Sequence, residues 1–183
     1  YAGTSGECGI TMVRLFHSEN MTTADNQQER LQFIGWLVGF TDGEGCFAIS
    51  IIKNSTTKHG YQVFPEFVIT QGEKSKAALL EIQQYFECGK LYVNRRTDNH
   101  KENLYRYCVR SVNDLQTKII PFFQQHPLRT AKQRDFLLFV KAIQLIQNKQ
   151  HLSPSGFKKV IALKQQMNRK ILRDYTSESR SNG

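Results

Sequence analysis

One stretch constrains the chain more than any other: Phe33-Ile34-Gly35-Trp36-Leu37-Val38-Gly39-Phe40-Thr41-Asp42-Gly43-Glu44-Gly45. From Phe33 to Phe40 it is apolar on every face if helical, and such a helix must be covered all round. The run is far shorter than the roughly 18–20 residues a bilayer requires, so protein has to do the covering. Gly35 and Gly39, four apart, share one helix face and let a second backbone come close. The chain holds a single stretch of this kind. A helix sandwiched between its own domain and a second copy would explain both features, so the second copy should come from another subunit, with Gly35, Leu37, Val38 and Gly39 as the expected contact residues.

With 183 residues and 39% hydrophobic content, the chain suits one domain with its own core. No clear signal-peptide pattern is present. Cys8, Cys46, Cys88 and Cys108 are scattered without a C-x-x-C pair, which argues against a zinc site and a disulfide framework and predicts free thiols in a reducing, intracellular compartment. A net charge of +9 points to a polyanion, most simply nucleic acid. Residues 1–127 hold 13 basic and 13 acidic side chains, whereas residues 128–183 hold 12 and 3, so the whole excess lies in the C-terminal third. A solvated basic helix face would carry the same excess.

Residues 1–24 lack periodicity and read as a flexible leader, with a short ordered patch at Val13–Phe16. Asp25, with Gln28 three residues on, predicts the N-cap and capping-box partner of the helix that enters the opening stretch; Gly43 and Gly45 are expected to end it. Alternation over Cys46–Lys53, a polar turn over 54–60 and a second run over Tyr61–Gln71 predict a hairpin. Glu73–Phe86 reads as a helix with Leu79, Ile82 and Phe86 on one face, closed by Gly89. A second hairpin pairs Lys90–Asn94 with Asn103–Arg110. Helices follow: Asn113–Ile120 stopping at Pro121, one capped by Thr130 and Gln133, and one opened by Ser153 and Pro154. The last residues, 174–183, read as a flexible tail.

The order helix, two strands, helix, two strands, helices predicts an α+β fold, a four-stranded antiparallel sheet with helices on one face and the other face free. If Phe47, Ile49 and Ile51 face the helices, then Ala48, Ser50, Ile52 and Asn54 face away, with Gln62, Phe64, Glu66 and Val68 beside them.

Asp42 and Glu44 fall at a helix C-terminus, where carboxylates are disfavoured by up to about 1 kcal/mol unless compensated. A divalent cation would compensate, since hard ions prefer carboxylate and carbonyl oxygens; a solvent-exposed acidic turn is the alternative. Lys132 poses the mirror problem, because it lies in the first turn of its helix, the wrong end for a cation.

Leu37-Val38-Gly39-Phe40-Thr41-Asp42-Gly43-Glu44-Gly45 resembles the signature of the LAGLIDADG homing endonucleases. Phe67–Gln71, Ile119–Phe123, His126–Lys132 and Met167-Asn168 also look like family positions, so the resemblance covers about Glu29 to Met167, within a domain over residues 25–173. It implies an αββαββα fold and, for a single motif, a homodimer whose two motif helices meet at a two-fold axis while the sheets span the major groove of double-stranded DNA. It further implies that Glu44 binds metal with the backbone carbonyl of Gly43, that Asp42 serves helix-end hydrogen bonding, that Gln71 positions water, and that Lys132 lies near the scissile phosphate. A single-motif relative has an arginine where this chain has Ser75, which leaves a second basic role open between Lys74, Lys76 and neither.

The activity so implied is site-specific, Mg²⁺-dependent phosphodiester hydrolysis giving a double-strand break with 3′ overhangs; Mn²⁺ is expected to substitute, and Ca²⁺ to bind without efficient cleavage. Ser50, Asn54, Gln62, Glu66, Asn94, Arg96, Arg106 and Arg110 are the expected DNA-reading residues, although a one-residue bulge would exchange Arg106 and Arg110 for Tyr105 and Tyr107. Two other readings are an RNA maturase that binds its host intron and a catalytically silent DNA-binding regulator. The resemblance favours an organelle, chloroplast or mitochondrion, over cytoplasm or nucleus.

Overall fold

The computed structural model describes residues 23–57, 60–95 and 103–167. The expected leader through residue 22, Cys8, the turn of the second hairpin with Arg96, Asn168 and the tail 174–183 lie outside the described residues.

Helix α1 spans Thr23–Glu44 and passes directly into strand β1, Gly45–Lys53, with no loop between them. The junction needs glycine: a Cβ on Gly45 would lie 2.6 Å from Thr41 Cγ2 and 2.8 Å from the Thr41 carbonyl oxygen. Strand β2, Tyr61–Gly72, returns antiparallel to β1, and a 3₁₀ turn at Glu73–Ser75 leads into α2, Lys76–Phe86. Leu79, Ile82 and Phe86 are its buried face, as the 3.6-residue period predicts. Strands β3, Lys90–Asn94, and β4, Leu104–Val109, complete a sheet of order β1-β2-β4-β3. Helix α3, Val112–Asp114, continues through a π-helical segment, Leu115–Ile119, into α4, Ile120–Gln125; α5, Lys132–Gln147, and α6, Pro154–Met167, follow.

The helices pack on one face of the sheet. Phe47 anchors that face, with its ring centroid 5.1 Å from Phe67, 5.1 Å from Phe136, and 5.5 Å from both Phe123 and Phe139. Phe47, Phe67, Ile69, Tyr105, Tyr107 and Val109 supply the sheet's share of the core. Burying each such side chain contributes on the order of 1.5–3 kcal/mol.

Four local expectations are corrected. Asp25 lies inside the first turn of α1 instead of capping it, since the helix starts at Thr23. Gly43 is helical, and the helix reaches Glu44 before Gly45 opens the strand. Pro121 does not stop its helix: the wider π-helical turns just before it take up the ring and the missing N–H, and the chain stays helical to Gln125. Gln133 does not close a capping box on Thr130; its side chain accepts a hydrogen bond from the Leu128 N–H at 3.1 Å, and the helix begins later, at Lys132. The Ser153 cap holds, with its hydroxyl accepting from the Gly156 N–H at 3.1 Å.

Candidate active site and nucleic-acid interface

Asp42 and Lys132 each sit at an unfavourable end of their own helix, and the fold turns both errors to use. Asp42, near the C-terminus of α1, faces the segment that leads into α5. Its carboxylate accepts hydrogen bonds from the Arg129 N–H at 2.6 Å, the Thr130 N–H at 3.3 Å and the Thr130 hydroxyl at 2.7 Å. Thr130 in turn accepts from the Lys132 N–H at 3.2 Å. Lys132, in the first turn of α5, sends its ammonium to the C-terminal carbonyls of α1, at 2.9 Å from Thr41 O and 3.3 Å from Gly43 O. The anion serves the N-terminal approach to one helix and the cation serves the C-terminus of the other, which is the favourable polarity in both cases.

The titration behaviour follows from these contacts. Burial pushes the Asp42 carboxyl up, but the hydrogen bonds from Arg129 and Thr130, with help from Lys132, more than offset it and leave its pKa below the usual 3.8. Burial pushes the Lys132 ammonium down, and the neighbouring Cys46, Asp42, Glu44 and Asp135 only partly oppose that.

With Asp42 engaged, Glu44 remains the exposed carboxylate of the motif. The donor set it forms with the Gly43 carbonyl is all oxygen and suits a hard divalent cation such as Mg²⁺. That the lysine ammonium rests on the Gly43 carbonyl is an independent sign that this helix end favours positive charge. Among the described residues no group of three or more ligating side chains gathers in one chain. A single carboxylate beside a carbonyl could hold such an ion only with further oxygens from elsewhere, as in Mg²⁺ sites completed by substrate phosphate and water. Gln71 is half-buried near the end of β2, beyond Ile69, the β2 residue that pairs with Gly45. Lys76 has its ammonium over the Tyr105 ring at 5.1 Å.

Among the described residues no helix packs on the other face of the sheet. Register places Ala48 opposite Glu66, Ser50 opposite Phe64 and Ile52 opposite Gln62. Asn54 donates to the Gln62 side chain at 2.8 Å, so the expected outward set lies together at the hairpin tip. On the other side of β2, Thr70 pairs with Arg106, and Arg106 with Tyr92. Arg106 and Arg110 stand on the open face, while Tyr105 and Tyr107 are buried, so the alternative register falls away. Asn94, paired with Leu104, belongs to the same face as Tyr92. Sequence reasoning missed Thr70, Lys90 and Tyr92, which alternation from Asn94 and Glu66 would have placed there.

Along α1 the expected contact residues divide. Leu37 is fully buried in the chain's own core, so its side chain is corrected from interface to core; Val38 packs partly against the same core. Gly35 and Gly39 are exposed, and a Cβ built on either meets nothing within 4 Å. Leu31, at 55% exposure, and Trp36, at 39%, lie uncovered on the same helix. Leu31, Gly35, Gly39 and Gly43 form one stripe at four-residue spacing.

The chain is 38% identical over 120 residues to an uncharacterized 50.9 kDa protein in ND4 intron 1 of Podospora anserina, covering 64% of this chain and 25% of that one. It is 34% identical over 131 residues to probable intron-encoded endonuclease 2 of Neurospora crassa, covering 70% and 26%. It thus spans about a quarter of the length of these two relatives. Among solved structures, the homing endonuclease I-TnaI aligns with a TM-score of 0.66 at 36% identity, covering 74% of this chain and 87% of that one. The LAGLIDADG meganuclease I-CpaMI, bound to uncleaved DNA, aligns with a TM-score of 0.69 at 34% identity, covering 76% and 45%. Residues 37–143, from the buried Leu37 of the motif helix through Lys132 to the core of α5, match the LAGLIDADG endonuclease profile, and the chain belongs to that family.

Proposed function

We propose that the protein is a site-specific DNA endonuclease that acts as a homodimer and makes a metal-dependent double-strand break with 3′ overhangs in a long, pseudo-palindromic duplex. One observation carries the reading: Asp42 and Lys132 cap each other's helices and leave Glu44 exposed at the end of α1, beside a sheet whose other face is open. The DNA complexes of I-CpaMI and of I-SmaMI, the latter with calcium ions, support duplex DNA as the partner and a divalent cation at the site.

In this reading Glu44 and the Gly43 carbonyl hold Mg²⁺, with Mn²⁺ able to substitute and Ca²⁺ able to bind without efficient cleavage. When bound, the ion supplies a water of lowered pKa and offsets charge on the leaving oxygen. Gln71 orients that water. Lys132 has a third N–H beyond those used on Thr41 and Gly43, and gives it to a phosphate oxygen as charge develops there. No side chain forms a covalent bond to the substrate. Ser50, Asn54, Gln62, Asn94, Arg96, Arg106 and Arg110 meet base edges and backbone in the major groove. The glycine stripe of α1 receives the same stripe of a second copy. The ND4-intron relative supports an organelle as the setting. Exposed Lys141, Lys149, Lys158 and Lys159 on α5, α6 and their connection favour phosphate contacts and leave room for a second role with intron RNA.

The test is selection of cleaved sites from a randomised duplex library with Mg²⁺, repeated with Ca²⁺ to isolate binding. A single long target with two related halves is expected, cut by the wild type and bound but uncut by Glu44→Gln. Cleavage by Glu44→Gln at the wild-type rate would overturn the metal assignment.

A further inference from the structure

The open face carries one carboxylate shared between two guanidinium groups. Glu66 Oε2 accepts from Arg110 Nε at 2.9 Å, and Glu66 Oε1 accepts from Arg106 Nη2 at 3.4 Å. Glu66 is the recessed member: its side chain is 17% exposed, against 48% for Arg110 and 37% for Arg106. The Arg110 guanidinium also lies over the Tyr92 ring, 5.1 Å from its centroid. Strand β2 holds Glu66, β4 holds Arg106 and ends one residue before Arg110, and β3 supplies the aromatic support.

We propose that Glu66 is a positioning residue that holds Arg110 and Arg106 as a preassembled pair of guanine readers, and that it does not itself read a base. This deepens the reading of the sheet as a DNA interface and rests on it. Four physical points carry it. Each carboxylate oxygen already accepts from a guanidinium group and Glu66 is less exposed than either arginine, so a cytosine amino group would have to compete with both for the lone pairs that remain. Arg110 binds through Nε, which leaves its two terminal nitrogens, the fork that matches guanine O6 and N7, available for an end-on bidentate contact. A long side chain fixed before binding has less rotamer freedom to lose on binding. With one negative and two positive charges, the triad keeps a net positive charge and attracts the duplex, where an unpaired carboxylate would repel it. Arg106, held by a longer contact and without the Tyr92 support, is the weaker reader.

The experiment is selection of bound duplexes from a randomised library in Ca²⁺, with wild type, Arg110→Ala, Arg106→Ala and Glu66→Gln compared at every position. The wild type should favour guanine at two positions of each half-site. Arg110→Ala should lose one of them by about 5- to 150-fold, the discrimination of a bidentate pair, and Arg106→Ala should lose the other by less. Glu66→Gln should weaken both preferences together and favour no new base, while affinity for unrelated duplex and the thermal midpoint do not fall. A merely structural role for Glu66 would move the midpoint and leave the surviving base profile unchanged. A Glu66→Gln variant that shifts preference at one position untouched by either arginine variant would make Glu66 a reader and overturn the proposal, as would an unaltered profile. A wild type that retains no duplex at all would overturn the DNA-binding reading itself, and the triad's role with it.

Discussion

On β1, Phe47 and Ile49 lie in the core, while their immediate neighbours Ala48 and Ser50 stand on the uncovered face of the sheet. On β4, Tyr105 and Tyr107 are buried, and Arg106 between them is half exposed and paired to Glu66. The covered face uses one kind of chemistry, large aromatic and aliphatic groups in mutual contact. The open face mixes small, polar, aromatic and charged side chains in an arrangement that no packing rule requires. If stability depends on one face and, as proposed, selection of a partner on the other, a substitution should damage one property and spare its counterpart. Helix α1 repeats the division, with Leu37 turned into the core and Gly35 and Gly39 turned out of it.

Phe67→Ala on the covered face should have the largest effect, a loss of about 3–5 kcal/mol of folding stability measured by urea denaturation. A smaller loss with altered DNA preference would break the division between the faces. Lys132→Met comes next: cleavage should fall by about 10²–10³-fold, or about 2.7–4 kcal/mol, while binding in Ca²⁺ changes little. An equal loss of binding would show that the ammonium holds the duplex in the ground state. The smallest effect belongs to Asp42→Asn. Because the Asp42 pKa is held below 3.8, its contribution is fully present above that value and fades as pH falls through the lower folded pKa. The variant should cost about 1 kcal/mol at neutral pH and become indistinguishable from wild type in strong acid. A difference independent of pH would show that the charge of Asp42 is not what holds the α5 approach.

Alternation and the 3.6-residue period made most of the fold legible. Leu79, Ile82 and Phe86 mark α2, and the order of elements defines the sheet with one open face. Local signals misled where a distant partner decided the outcome. Gln133 looked like the second half of a capping box, yet it reaches Leu128 because Thr130 is already committed to Asp42. Pro121 looked like a stop, but a π-helical segment absorbed it. For the site, the resemblance of the motif pointed to Glu44, Gln71 and Lys132, and the structure brings Lys132 against the carbonyl of Gly43. The exchange of caps between α1 and α5 joins residues 87 to 91 positions apart, and no local pattern encodes it. The helix-dipole mismatch at Asp42 and at Lys132 was its only trace in the sequence. Leu37 was assigned to the wrong body because a helix that is apolar all round does not say which side its own domain takes.

If α1 both joins two copies and presents their carboxylates, Gly39→Leu should abolish assembly and cleavage together. A side chain begun at Gly39 meets open space in the single chain, so the variant should still fold, with the wild-type circular dichroism spectrum. In the analytical ultracentrifuge it should sediment at the mass of one 21.2 kDa chain, where the wild type should sediment as two, and it should leave the selected target uncut in Mg²⁺. A Gly39→Leu protein that assembles as a dimer and cuts at the wild-type rate would contradict the account.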